Sequence, residues 1–301
     1  MMKIFIVEND ISDIRIDKYL IDLLGISRSK IQKMIENNNI LVNDKIIKNS
    51  YIVRVDDEIK VNDYIEDIDI LPENIPLDIV YEDEDVIVVN KPNGMVVHPA
   101  IGNNNGTLVN ALLYHSNALS DINGEFRPGI VHRIDAYTTG LLIVAKNNKA
   151  HEILSEELAK KETNRKYIAL VWGVIKEDTA TIDAPIGRDL NDRKKMAVTS
   201  VNSKDAITHL KVLKRYKNAT LIELKLETGR THQIRVHMNY IGHPVVNDPV
   251  YGKRKIIDDT GQCLHAFQIG FKHPKTGEYM QFTCDTPECF NNIVEQFKKD
   301  E

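Results

Sequence analysis

Gly129-Ile130-Val131-His132-Arg133-Ile134-Asp135-Ala136-Tyr137-Thr138-Thr139-Gly140-Leu141-Leu142-Ile143-Val144-Ala145 is the stretch on which the reading of this chain turns. Its second half, from Gly140, is an unbroken run of strand length, the pattern of a strand buried on both faces. Its first half crowds an imidazole, a guanidinium and a carboxylate into the approach to that strand. Charged groups beside a core have to be paired or used, because burying them alone is costly. Asp135 and Arg133 with His132 beside them make a plausible site lip. The same residues also suit a plain Asp135–Arg133 pair or a loop cap, and the segment alone leaves both readings open.

Further strands are legible on either side. Asp85–Asn90 is a second buried-type strand, closed by the turn Lys91-Pro92-Asn93-Gly94, and Lys166–Val174 is a third. Leu210–Leu226 alternates around Asn218-Ala219 as a long hairpin, and Cys263–Phe271 with Tyr279–Phe282 forms another. Thr231–Tyr240 reads as a helix. Strand runs with few helices and no regular βα alternation predict an α+β domain with a mixed, largely antiparallel central sheet over residues 81–301. Residues 63–80, acidic and carrying Pro72 and Pro76, read as a linker.

Residues 13–62 predict a small unit of their own. Ile16, Tyr19, Leu20 and Leu23 fall at helical spacing with Gly25 placed to end the helix, and Ser27 or Ser29 is placed to cap a second helix carrying Ile31, Met34 and Ile35. Ile40–Val42 and Lys45–Ile47 flank a turn at Asn43-Asp44. Val53, Val55, Ile59 and Val61 suggest one more strand pair, broken at Asp56-Asp57.

Composition narrows the function. With 42% hydrophobic and 28% charged residues, the 301-residue chain has the profile of a globular protein. Its apolar runs are far short of a membrane span of about 20 residues. The N-terminus turns acidic at Glu8 and Asp10 too soon for a secretory signal, so a cytoplasmic location and no membrane partner are expected. Cys263, Cys284 and Cys289 make no CxxC pair and read as reduced thiols, not a metal site. The net charge of −5 runs against a nucleic-acid partner until its distribution is followed. Residues 55–85 hold 13 acidic groups and a single lysine, whereas 160–235 hold 17 basic against 9 acidic and 15–48 hold 7 against 4. Two basic segments flank one acidic one, which suits contact with phosphates but equally suits solvated faces.

The motifs resolve the choice. Arg15-Ile16-Asp17-Lys18-Tyr19-Leu20, then Gly25-Ile26-Ser27-Arg28-Ser29-Lys30-Ile31, then Val42-Asn43 resemble an S4 RNA-binding domain. That resemblance implies Arg15, Arg28, Lys30 and Lys33 as contacts to folded RNA. His132–Leu142 resembles the central motif of the pseudouridine synthases of the RluA and RluD type, written H-R-L-D-x-x-T-S-G-L-L. Four further stretches match in family order: Asn90–Pro99, Lys166–Gly173, Thr228–His237, and Gly242-His243-Pro244 with Tyr251-Gly252. Leu264-His265-Ala266 follows them. The chain departs at Ala136, where a charged residue is common, and at Thr139, where Ser is usual.

The resemblance implies isomerisation of uridine to pseudouridine on a nucleoside flipped out of RNA, without metal or organic cofactor. Asp135 matches the catalytic carboxylate, acting either as nucleophile or as base toward a ribose proton. Arg235 matches the arginine that would hold Asp135 by a bidentate pair. Tyr167 matches the tyrosine that stacks on uracil. Arg133 matches the arginine that fills the space left by the flipped base. His132 supports the loop and, with Arg230, borders the RNA. The S4-like unit with the full motif set is most similar to the RluD group, which implies 23S ribosomal RNA or an assembling large subunit as partner and a monomeric enzyme. The alternatives are the same chemistry on tRNA, or a non-catalytic S4-type RNA-binding protein. A metal hydrolase using His98, His132, His232 and His237 is disfavoured, since His232 and His237 stand five apart and no HExxH occurs.

Overall fold

The computed structural model describes residues 2–8, 14–26, 28–62, 70–99, 103, 105–124, 127–192, 195–252 and 256–299, the side chains at 22, 29 and 30 apart. The chain divides into two units, Met1–Asp69 and Ile70–Glu301.

The N-terminal unit runs β1 (Met2–Ile6), α1 (Ile16–Leu24), α2 (Arg28–Glu36), β2 (Ile40–Val42), β3 (Lys45–Ile46) and β4 (Glu58–Asn62). Gly25 ends α1 in the left-handed region at φ 67°, its N–H bonded to the Ile21 carbonyl, a closure that a Cβ would oppose. Ser27 and the Ser29 side chain, the expected caps of α2, lie outside the described residues. Ile16, Leu20, Ile31, Met34 and Ile35 from the helices pack on Ile40, Val42, Ile59 and Val61, while Leu23 points outward, 42% exposed. The antiparallel sheet has the order β1-β4-β2-β3, which differs from expectation in two ways. It begins at Met2, ahead of residue 13, and β4 takes β1 and β2 as neighbours, so Val53 and Val55 form no hairpin with it. The cause is Asp57: its buried carboxylate accepts from Asn43, Tyr51 and the Arg54 N–H, fixing a local turn instead of a strand.

The C-terminal unit continues with β5 (Asp78–Glu82), β6 (Val86–Lys91), α3 (Leu108–His115), β7 (Thr139–Ala145), α4 (Asn148–Ala159), β8 (Asn164–Trp172), β9 (Thr179–Asp183), β10 (Ile186–Arg188), β11 (Met196–Val198), β12 (Ile207–Arg215), β13 (Ala219–Leu226), α5 (Gln233–Tyr240), β14 (Leu264–Lys272), β15 (Tyr279–Thr283) and α6 (Glu288–Lys298). β5 starts inside the expected linker, whose residues 63–69 lie outside the described ones. The main sheet runs β5-β6-β7-β14-β8-β13-β12-β9, with β15 on β14. Every pairing in it is antiparallel except β7 with β14, the mixed α+β arrangement expected. β10 and β11 pair separately.

Alternation explains the continuous apolar runs. On β6 and β7, Ile87, Val89, Leu142 and Val144 face the layer containing α3, while Val86, Val88, Leu141 and Ile143 face the layer containing α4. Both faces are covered, so neither has room for polar residues. The parallel β7–β14 contact spans just two residue pairs, Thr139 with His265 and Gly140 with Ala266. At Gly140, with φ 109°, a Cβ would come within 2.2 Å of the Ala266 carbonyl oxygen, so the strands meet this closely only with glycine there. The loop carrying Asp135 leads directly into that contact.

Candidate active site

Three elements converge on a cleft of about 420 Å³: the loop before β7, strand β8 and helix α5. The loop brings Arg133 and Asp135, β8 brings Arg165 and Tyr167, and α5 brings Arg235.

Buried cations and carbonyls fix the loop. Lys91, at the end of β6, is fully buried, and its ammonium donates to the carbonyls of Pro92, Met95 and Ala136 at 2.7–2.8 Å. Burial pulls Lys91 down to about 7, against the opposing charge of Asp135. The Gln262 amide donates to the Thr138 hydroxyl, and Thr139 Oγ1 hydrogen-bonds His265. Thr139 therefore serves the loop as the hydroxyl expected at its position. The Asp135 carbonyl accepts the Thr138 N–H at 3.0 Å, closing the turn that presents the carboxylate.

The Asp135 side chain is 19% exposed and accepts one hydrogen bond from Arg235 Nη1 at 2.9 Å. The expected bidentate pair is made elsewhere. Arg235 Nε and Nη2 grip both oxygens of Asp248 at 2.7 and 2.9 Å, and Asp248 is fully buried. Burial alone would lower the Arg235 pKa, but the two carboxylates outweigh it and raise it. Burial would likewise raise Asp248, yet the bonds from Arg235, Tyr251 N–H and Val250 N–H keep it below the usual carboxylate range. Asp248 thus locks the guanidinium, which offers its remaining donor to Asp135. This leaves the other Asp135 oxygen without that bond, on a side chain that lines the cleft.

His232 caps α5 with a left-handed backbone, φ 57°, unusual for a residue with a Cβ and typical of functional sites. Its Nε2 lies 3.9 Å from Asp135 and its Nδ1 is 2.8 Å from the Tyr251 hydroxyl. Tyr167 is 6% exposed and forms part of the cleft wall. Burial raises its hydroxyl pKa, so it is a proton donor, not an anion, at neutral pH. Arg133 is exposed at the cleft, with Nη1 3.3 Å from His98 Nε2.

His132 is turned inward: its Nε2 accepts the Ile143 N–H at 3.0 Å, and burial lowers its pKa to about 3. It is a neutral support of the loop and lines the cleft. His237 is also consumed internally, by Thr208 and the Ala184 carbonyl, so the four histidines of the metal reading do not form one site. Arg230 borders the cleft with its Nε on the Asp205 carbonyl.

In the N-terminal unit, Arg15 and Arg28 both turn onto Asp17, which is fully buried and also accepts from Gln32 at 2.7 Å. Burial would raise Asp17, but the bonds from Gln32, Arg28 and Arg15 hold it below its ordinary value. Arg28 and Gln32 therefore tie α2 to α1 through Asp17, and Arg15 ties the start of α1 to the Asn49 carbonyl, while both arginine side chains stay more than 40% exposed. Lys33 is exposed on α2, and the Lys30 side chain lies outside the described residues.

The cleft wall carries five arginines, 127, 133, 165, 230 and 235, against one carboxylate, Asp135. A reachable carboxylate beside a fixed guanidinium, on a strongly cationic wall, suits an anionic polymer whose reacting unit is presented to Asp135. A profile described as RNA pseudouridylate synthase matches residues 85–240, more than half the chain. The chain belongs to the RNA pseudouridine synthases. An S4 domain profile matches residues 14–59 of this synthase. It is 52% identical to an uncharacterized RNA pseudouridine synthase, YlyB, of Bacillus subtilis, over 95% of this chain and 94% of that one. It is 50% identical to ribosomal large subunit pseudouridine synthase D of Zymomonas mobilis, over 72% of this chain and 71% of the other. Among solved structures, human RNA pseudouridylate synthase domain containing 1 covers 75% of this chain and 96% of its own, with TM-score 0.59 and 27% identity.

Asp248, Arg165 and Lys91 were not singled out from sequence. Asp248 falls between two quoted motifs, and its one signal is the Asn247-Asp248-Pro249 turn in front of Tyr251. Arg165 is signalled only by alternation, two residues before Tyr167 on one strand face.

Proposed function

We propose that this RNA pseudouridine synthase isomerises specific uridines of large-subunit ribosomal RNA, with Asp135 as the catalytic carboxylate. The observation that carries the site assignment is the partly exposed Asp135 carboxylate, held by Arg235, in an arginine-lined cleft. The rRNA target is supported by relatives named ribosomal large subunit pseudouridine synthase D, at 50% identity in Zymomonas mobilis and 43% in Neisseria meningitidis.

In this reading the target uridine leaves its helix and enters the cleft. Extrusion costs a few kcal/mol, and Arg133, exposed at the cleft, offsets part of that by stacking in the vacated space. Tyr167 stacks on the uracil. Asp135 either bonds C1′ or takes a ribose proton while the C1′–N1 bond breaks; the base rotates and rejoins through C5, and the C5 proton is released. Arg235, locked by Asp248, holds Asp135 in place through the 2.9 Å bond from Nη1. No cofactor enters this scheme. Lys33 and the exposed parts of Arg15 and Arg28 meet RNA at the S4 domain, and Arg230 at the catalytic domain. The enzyme acts as a cytoplasmic monomer on RNA or an assembling subunit. No helix among the described residues is long and apolar enough to cross a membrane.

Mapping pseudouridines in ribosomal RNA from cells lacking the gene tests the target. Loss at defined large-subunit positions, restored by the wild-type gene, is expected. An unchanged ribosomal map alongside lost tRNA sites refutes the target but not the chemistry.

A further inference from the structure

Arg165 is an anomaly in the cleft. It is 7% exposed, its Nε is buried with no hydrogen-bond partner, and among the described residues no carboxylate pairs with it. A guanidinium out of water normally finds an anion or a set of carbonyls. The other cleft arginines have such engagements or stand exposed: Arg235 grips Asp248 and Asp135, Arg230 donates to Asp205, and Arg133 and Arg127 lie in solvent. Only the Arg165 cation is both buried and unmatched, and it borders the same cleft as Asp135 and Tyr167.

A second orphan accompanies it. His132 accepts the Ile143 N–H through Nε2, so its proton sits on Nδ1, and that Nδ1 is buried without a partner. His132 also borders the cleft, and the Arg165 charge lowers its pKa further, after burial. Two side chains with an unmatched buried nitrogen thus line one cleft.

We propose that Arg165 is a catalytic residue that binds a carbonyl oxygen of the target uracil and stabilises the base while it is detached from the ribose. This rests on the pseudouridine synthase reading and adds a role to it. When C1′–N1 breaks, the bond's electron pair leaves with the base. The resulting anion is shared by N1 and the ring carbonyl oxygens, while Asp135 compensates C1′ by bonding it or by taking the 2′ proton. When C5 attacks C1′ that pair is returned, Asp135 leaves C1′ or gives its proton back to C2′, and the C5 proton is exchanged for one on N1, so no outside reactant is required. A cation that meets charge only as it develops favours the transition state over the bound substrate. The rival ligand for Arg165 is a backbone phosphate. Depth argues against it: alternation puts Arg165 on the same face of β8 as Tyr167, at 7% and 6% exposure, where a base reaches, while Arg133 and Arg127 at the opening suit phosphate.

The test compares wild type with Arg165→Met and Arg165→Lys in single-turnover tritium release from [5-³H]uridine RNA, together with RNA affinity at several salt concentrations. Arg165→Met is expected to slow the chemical step on the order of a hundredfold, with Kd and its salt slope unchanged and partial recovery in Arg165→Lys. Weaker binding, a salt slope lowered by about one and an unchanged chemical step would assign Arg165 to a phosphate and overturn the proposal, as would no effect at all. Should Arg165→Met fail to fold, Gly229→Ala replaces it. A Cβ there would stand 2.7 Å from Arg165 Nη1, the movable end of the side chain. It should displace the guanidinium and slow the chemical step at wild-type melting temperature; an unchanged rate overturns the proposal. If wild type itself releases no tritium, the failure belongs to the synthase reading and not to Arg165.

Discussion

Replacing Asp248 with Asn removes one charge from the fully buried carboxylate that grips Arg235 through Nε and Nη2. The isosteric amide still accepts from one guanidinium nitrogen and from Val250 and Tyr251 N–H, but its NH₂ faces the other Arg235 donor. Breaking a buried pair from one side costs 3–5 kcal/mol in general. Because Asp135 continues to pair with Arg235 at 2.9 Å, the lower end applies, about 3 kcal/mol. In a unit of this size each kcal/mol moves the melting temperature by roughly 2–4 °C, so a fall of roughly 6–12 °C is expected. The functional effect is separate. An arginine released from Asp248 turns its fork onto Asp135, covering its other oxygen, and the single-turnover rate falls tenfold or more, as a rough scale for a misplaced catalytic group. Thermal unfolding followed by circular dichroism and tritium release in the same preparation measure both. A melting temperature within about 2 °C of wild type, with an unchanged rate, would refute the claim that Asp248 fixes Arg235.

Lys33→Ala should weaken RNA binding similarly across sequences and lower the log Kd–log salt slope by about one, measured by fluorescence anisotropy; an unchanged slope removes Lys33 from the RNA surface. Arg28→Glu is a poor probe of the same surface, since it sets a carboxylate against Asp17. Asp83 accepts from Tyr81, His273 and the N–H groups of Asp85 and Val86. Although burial alone would raise it, those bonds lower it from 3.8 to about 2. Because the folded value is the lower one, its contribution of about 2 kcal/mol is complete above pH 3.8 and is lost as pH falls toward 2. Asp83→Asn should flatten that acid limb in pH-dependent unfolding, and an unchanged limb would contradict the assignment.

What could be read from sequence was whatever repeats locally. Continuous apolar runs identified β6, β7 and β8 because both faces of those strands are covered, and Gly25 identified its helix end because few residues tolerate that backbone. The motif set gave Asp135, Tyr167 and Arg235 as one site. Partners across space were not legible. Nothing local to Asp248 announces that it takes the bidentate face of Arg235, and nothing local to Asp57 announces that it turns residues 53–57 away from a hairpin. Charge counting located basic segments but could not show that Arg15 and Arg28 also share the buried Asp17. β1 was missed because its neighbour in the sheet, β4, is more than fifty residues away in sequence.

The central claim is that the Asp135 carboxylate performs the isomerisation. Single-turnover tritium release by Asp135→Asn, with RNA affinity measured alongside, tests it directly. The account requires wild-type affinity and no detectable release; release at a substantial fraction of the wild-type rate would contradict it.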